Sequence, residues 1–267
     1  KKLKEIKDFN NFLHKSSTYY SYVLNQNFEN EEINKSFFRL ETLGKIETFL
    51  PLYLAILNNK KFKPEFLINI NEILETFTIR VFIFGNKKGN TGNSALFDLA
   101  HKVYTNKIKF TELKKKLKSL IEKNSNNLDF KKSIINISAY NTINISALKL
   151  ILLDYEYHLQ NETLSKFDIG TINELVKNQK ITIEHIAPQN ILPGVKLMEN
   201  INLLGNLVLT FNNSNLSNKT FQSKKAFYLK SDLASERELI DFEEWNDKTI
   251  IERGKKIQKF IIEKWKP

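Results

Sequence analysis

Glu184 and His185 are the residues of this chain best suited to acid–base and metal chemistry, in the run Glu184-His185-Ile186-Ala187-Pro188-Gln189. A neutral imidazole near its unperturbed pKa of about 6.5 can take a proton from water, and a neighbouring carboxylate can hold a hard divalent cation. Converging on one phosphate, the cation would stabilise the developing charge and the leaving oxygen while His185 activates the attacking water. That chemistry is phosphodiester hydrolysis. A lone histidine at a strand end more often only satisfies a backbone carbonyl, but His185 has company. Twenty-one residues on lies Asn206, in Gly205-Asn206-Leu207, and nine further comes Asn215, in the asparagine-rich run 212–218 that also holds Asn213. Lys224 and Lys225 follow. Against a functional role, an asparagine after glycine also reads as a turn former, and lysines on helices mostly face water.

These residues need elements to hold them. Ile181-Thr182-Ile183 reads as a strand, with Glu184 and His185 directly after it where the strand opens into a loop containing Pro188, Pro193 and Gly194. Leu204 to Phe211 reads as a second strand, broken only by Gly205 and Asn206 at its start, and a helix should cover Phe221 to Leu229. The order is strand, loop, strand, helix. Ile250, Ile257, Phe260, Ile261 and Trp265 then share one face of a closing helix. Before residue 165 the apolar spacing is helical throughout, so the expected fold is mainly α with a small α+β part: a helical platform over 1–165 and the strand-bearing domain over 166–267. Leu113, Leu117, Leu120 and Ile121 mark one helix clearly. The lysines around them read as a solvated surface, with a phosphate-contacting face as the alternative. The segment from Gly85 to Asn93 reads as an exposed loop and does not match the spacing of a phosphate-binding P-loop.

Forty-one Lys and Arg against 30 Asp and Glu give a net charge of +11, which favours polyanionic partners, nucleic acid first. Residues 1–165 carry 25 basic and 17 acidic side chains and residues 166–267 carry 16 and 13. Lys196 to Lys230 is basic, whereas Asp232 to Asp247 holds seven acids and one arginine and should face away from DNA or towards another domain. The absence of cysteine excludes disulfides, a thiolate nucleophile and Cys-ligated zinc, and fits a reducing cytoplasm. The longest apolar stretch, Phe49 to Leu57, is far short of the ~20 residues a membrane helix needs, so a soluble protein is expected. The chain starts at Lys1 rather than Met, consistent with the C-terminal part of something longer. His14, His101 and His158 have no acidic or histidine partner at metal spacing and are read as non-catalytic.

Taken together, Glu184-His185-Ile-x-Pro-Gln, Leu204-Gly205-Asn206-Leu207-x-Leu209 and Asn-x-x-Leu216-Ser217-Asn218-x-x-Phe221-x-x-Lys224 resemble the C-terminal nuclease domain of the GmrSD-type modification-dependent restriction endonucleases. Trp245, Ile250 or Ile251, Arg253 and Trp265 are similar to that family's closing signature. The resemblance covers about residues 165 to 267 and implies an HNH (His-Me finger, ββα-metal) nuclease. It implies His185 as general base, Glu184 as a metal ligand, and Asn206 as the residue that pins the loop and orients His185. Asn215, or Asn213 in a second register, would be the further metal ligand. Lys224, with Lys225 beside it, would touch the substrate phosphate, or Lys224 would brace the fold. The implied cofactor is Mg²⁺ or Mn²⁺ and the implied substrate DNA, in some relatives modified phage DNA. An N-terminal nucleotide-binding domain, absent from this chain, would precede the helical region, which Phe37-Phe38-Arg39-Leu40-Glu41 and the run 79–84 resemble more loosely. Two departures stand out: no cysteine pairs for a structural zinc, and Glu in place of the commoner Asp before the histidine. The alternatives are a non-catalytic nucleic-acid-binding module and an RNA-directed nuclease.

Overall fold

A computed structural model of the chain describes residues 2–59, 61, 63, 65–177, 180–189 and 198–267. Pro193, Gly194 and Lys196 lie outside these residues. The chain divides into two compact units, Lys1–Asn126 with Pro267, and Asn127–Lys266. The sequence changes character near residue 165, but the helices between 127 and 164 group with the strands that follow. Burial explains the difference: Leu148, Ile151, Leu152 and Tyr155 pack into the second unit, and helical spacing alone does not say which core a helix serves.

The first unit is helical: α1 (Lys2–Asn25), α2 (Glu31–Thr42), α3 (Ile46–Leu57), α4 (Glu65–Phe77), a π-helical turn (Thr78–Ile83), α5 (Asn93–Tyr104) and α6 (Phe110–Asn124). Helix α2 starts where Asn30 accepts from the backbone N–H groups of Glu32 and Ile33, and Glu31 and Glu32 favour the positive end of its dipole. Ile33, Phe37 and Leu40 then recur three and four apart and are buried. The expected face of α6, Leu113, Leu117, Leu120 and Ile121, is buried as a set. Asn86 to Asn90 form an exposed loop. It closes at Gly92, whose φ of +86° and close approach to the Phe77 ring, 3.0 Å from where a Cβ would sit, both favour glycine.

The second unit contains α7 (Asn127–Asn136), α8 (Ala139–Thr142), α9 (Ile145–Leu159), α10 (Ile169–Lys177), β1 (Thr182–His185), β2 (Leu207–Thr210), α11 (Asn213–Leu216), α12 (Phe221–Tyr228), α13 (Ala234–Arg237) and α14 (Asp247–Lys264). The two strands pair antiparallel, with Thr182 opposite Thr210 and His185 opposite Leu207. Both differ from the sequence reading. Glu184 and His185 are the last two residues of β1 rather than the first of a loop, and Leu204–Asn206 is a 3₁₀ turn, so β2 begins only at Leu207. Helix α12 and the closing helix α14 fall where the apolar spacing placed them.

Helix α14 positions the turn before β2. Asn246 starts it with a reciprocal capping box to Thr249. It then crosses the turn so closely that a Cβ on Gly205 would lie 1.9 Å from the Ile250 carbonyl oxygen. Arg253, fully buried, donates from Nη1 to the Gly205 and Leu207 carbonyls at 3.0 and 2.8 Å and from Nε to Glu238 at 2.8 Å. Among the described residues, no helix is long and apolar enough to cross a membrane.

Gly205→Ala should force the crossing apart and cost roughly 3 kcal/mol or more, as overpacking against backbone does. Gly254 faces the same crossing from α14, but its built Cβ meets only ordinary contacts at 3.8 Å. Gly254→Ala is therefore expected to stabilise by up to ~1 kcal/mol through helix propensity. Urea midpoints of the two variants should move in opposite directions.

Candidate functional site around His185

Successive side chains of a strand point to opposite faces, so Glu184 and His185, the last two residues of β1, meet different neighbours. Glu184 is on the face that meets α12, paired with Lys224. His185 is on the other, against Tyr140 and Asn202.

Lys224 is fully buried, and its ammonium spends all three protons at the end of β1: on Glu184 Oε1 at 2.5 Å, the His185 carbonyl at 2.8 Å and the Ile186 carbonyl at 3.2 Å. A lysine with every donor used and no exposure braces the fold and does not reach a DNA phosphate. Burial pushes the Glu184 carboxyl up and the Lys224 ammonium down from their ordinary values, and the attraction between them opposes both shifts. Lys225 is also engaged, donating to the Phe242 carbonyl at 2.7 Å and lying over the Phe221 ring.

His185 is 8% exposed. Its Nε2 meets Asn202 Oδ1 at 3.2 Å, and the same oxygen accepts from Gln189 Nε2 at 3.2 Å. An amide oxygen only accepts, so this pairing assigns the proton to Nε2 and leaves the lone pair on Nδ1. The Tyr140 ring stands edge-on to the imidazole, centroids 4.4 Å apart, and the Tyr140 N–H donates to the Asn202 carbonyl. Burial lowers the His185 pKa, the Asn202 hydrogen bond opposes that, and the positive charge of Lys224 lowers it further. The imidazole is thereby kept neutral and oriented. Sequence reasoning missed Tyr140 and Asn202. Tyr140 lies in a stretch assigned to the platform, and Asn202 has no local signal that separates it from its asparagine neighbours.

Asn206 holds the loop that follows β1. It is wholly buried, and its Oδ1 accepts from the Ala187 N–H and the Trp245 indole N–H, both at 2.8 Å. Its Nδ2 donates to the Ala187 carbonyl at 3.1 Å and the Ile201 carbonyl at 2.8 Å. The Asn206 carbonyl accepts from Ile186 N–H at 2.9 Å. One side chain thus fixes the backbone two residues beyond His185.

Asn213 and Asn215 are both exposed on the single turn of α11. Among the described residues, no three His, Cys, Asp or Glu side chains gather as a metal site. His14, His101 and His158 lie in α1, α5 and α9, with His158 against the Phe260 ring.

Lys224→Met leaves a buried carboxylate without its cation and should cost about 3–5 kcal/mol, while adding Glu184→Leu should recover most of that loss. Urea unfolding of the two singles and the double closes this cycle. The His185 imidazole should titrate below 6.5 by NMR, since its folded pKa lies under the unfolded one. The unfolded chain then takes up the proton first. The stability that His185 contributes is complete above pH ~6.5 and is lost as pH falls through its folded pKa, a slope that His185→Gln should remove.

The profile of the GmrSD restriction endonucleases, C-terminal domain, matches residues 124–260. The match starts three residues before the second compact unit and includes α7 to α10 as well as the strands. No curated protein matched the chain. With half of its length matched, and with Glu184, His185, Asn206 and Lys224 all inside that span, the chain belongs to the family of GmrSD restriction endonuclease C-terminal domains.

Proposed function

We propose that the second unit is a DNA endonuclease of HNH type, hydrolysing phosphodiester bonds with His185 as general base in a system that restricts foreign DNA, modified phage DNA included. The observation that carries this reading is the state of His185: neutral, nearly buried, fixed through Nε2 by Asn202 and through the following loop by Asn206. A base poised this way takes the proton of the attacking water at Nδ1 without first reorganising. The element order β1, β2, then α11 and α12 supports a ββα reading.

The HNH resemblance brings Mg²⁺ or Mn²⁺ into the reading, and such an ion would stabilise the charge on the phosphate. The residues expected to hold it do not make that centre as folded. Glu184 is committed to Lys224, whose ammonium would repel a second cation beside it, and Asn213 and Asn215 offer only solvated amides. The catalytic step assigned here is therefore confined to His185. The same observation favours the second reading, a nucleic-acid-binding module without catalysis.

Supercoiled plasmid incubated with the full chain and Mg²⁺ or Mn²⁺ should be nicked, with His185→Ala slower by ~10²-fold or more, the usual worth of a positioned base. Loss of nicking in EDTA establishes the metal requirement. Retained DNA binding without nicking under either metal, on plain and modified plasmid alike, selects the binding module instead.

A further inference from the structure

Outside the family match, the first unit carries 22 Lys and Arg against 13 Asp and Glu, although its helices contain none of the residues placed in the site. Much of that excess is local. Residues 93–124, which form α5 and α6 with the turn between them, hold eight lysines and three acids.

These two helices enclose a groove of about 510 Å³ lined by Lys102, Lys107, Lys116 and Lys123, with Asp98 and Glu112 as its acids. Asp98 is taken up by Lys102 at 2.6 Å, one turn along α5. Lys107, Lys116 and Lys123 have no ion pair among the described residues, so three cations line one concavity with one acid left to balance them. The floor is apolar, from Leu99, Ile108 and Leu120, and such a floor suits lysine stems that lie along it with their ammonium ends in water. Lys116 and Lys123 are two helical turns apart, ~10 Å along α6. That distance matches about three base-pair rises of 3.4 Å along one DNA strand.

We infer that the α5–α6 groove is a second DNA contact, binding the sugar–phosphate backbone of a duplex without reading its sequence. This rests on DNA being the substrate of the proposed nuclease. A compact anion would need convergent donors at one point; lysines strung along two turns of a helix suit a polymer whose charges are strung likewise. The groove would thus supply affinity while the His185 site supplies chemistry.

The test measures fluorescence anisotropy of a labelled, unmodified 30-base-pair duplex against the full-length chain, titrated over about 50–200 mM salt, where backbone contacts are most visible. The groove variant is Lys107→Gln/Lys116→Gln/Lys123→Gln. The control, Lys2→Gln/Lys4→Gln/Lys7→Gln, removes the same charge from exposed positions on α1. The groove variant should bind on the order of tenfold more weakly and lose up to ~2.7 from the log–log salt slope, about 0.9 for each phosphate released. The control should stay within about threefold. Equal weakening of both variants, or none in the groove variant, overturns the inference, as does preferential competition by single-stranded RNA of the same length. His185→Ala is assayed separately for nicking. Its nicking defect tests the proposed nuclease separately, so failure of the groove and failure of the catalytic reading give different results.

Discussion

The second unit depends on one buried amide. Asn206 has two donors and two acceptor sites within reach of the backbone on both sides of the hairpin loop, and it uses all of them. Such an arrangement is cooperative in a strict sense. Each partner is a group that would be costly to leave unpaired inside the protein, so moving the loop forfeits several bonds at once. The Trp245 indole joins this set from the segment just before α14. The position of the His185 loop is therefore set jointly by β2 and by the entry to a helix some forty residues further along the chain.

A two-stranded sheet of four residues each is marginal on its own, and here neither strand end is left to water. At the end of β1 the Lys224 ammonium takes the carbonyls of His185 and Ile186. At the start of β2 the Arg253 guanidinium takes those of Gly205 and Leu207. Each cation is in turn neutralised, by Glu184 and Glu238 respectively. Two long side chains reaching from α12 and α14 thus do for the hairpin what further strands would do in a larger sheet. Burying them is tolerable because each cation is paired with a carboxylate and hydrogen-bonded to backbone carbonyls.

This explains what the sequence could and could not disclose. The elements were legible because their signals are local: β-branched runs for the strands, apolar spacing for α6, α12 and α14. Asn206 was singled out too, through a resemblance that reads spacing, whereas the four hydrogen bonds of its side chain belong to the folded loop alone. Lys224 was not settled by the same spacing, since a lysine on a helix facing a sheet and a lysine facing DNA look alike until burial is known. Tyr140 and Asn202 were illegible for a different reason. Their partnership with His185 is made entirely by tertiary packing across 45 and 17 residues, and nothing in their neighbours marks them. The break in sequence character near residue 165 does not coincide with the division between the units, because helical spacing in α7 to α9 does not say which core those helices enter.

The alternation of β1 carries the argument further than the motif does. A motif written as Glu-His suggests one site with two chemical groups, but a strand turns adjacent residues into occupants of two different environments. Glu184 enters an apolar interior that would be hostile to a bare carboxylate, and its partner is a fixed ammonium. His185 enters a nearly buried polar niche made by Asn202, Gln189 and Tyr140. The coupling between them is one of charge and backbone: the ammonium that neutralises Glu184 also grips the His185 carbonyl, and its positive charge helps keep the imidazole deprotonated. In this arrangement the acid acts on the imidazole at one remove, by retaining beside it a cation that grips the His185 backbone and disfavours protonation of the ring.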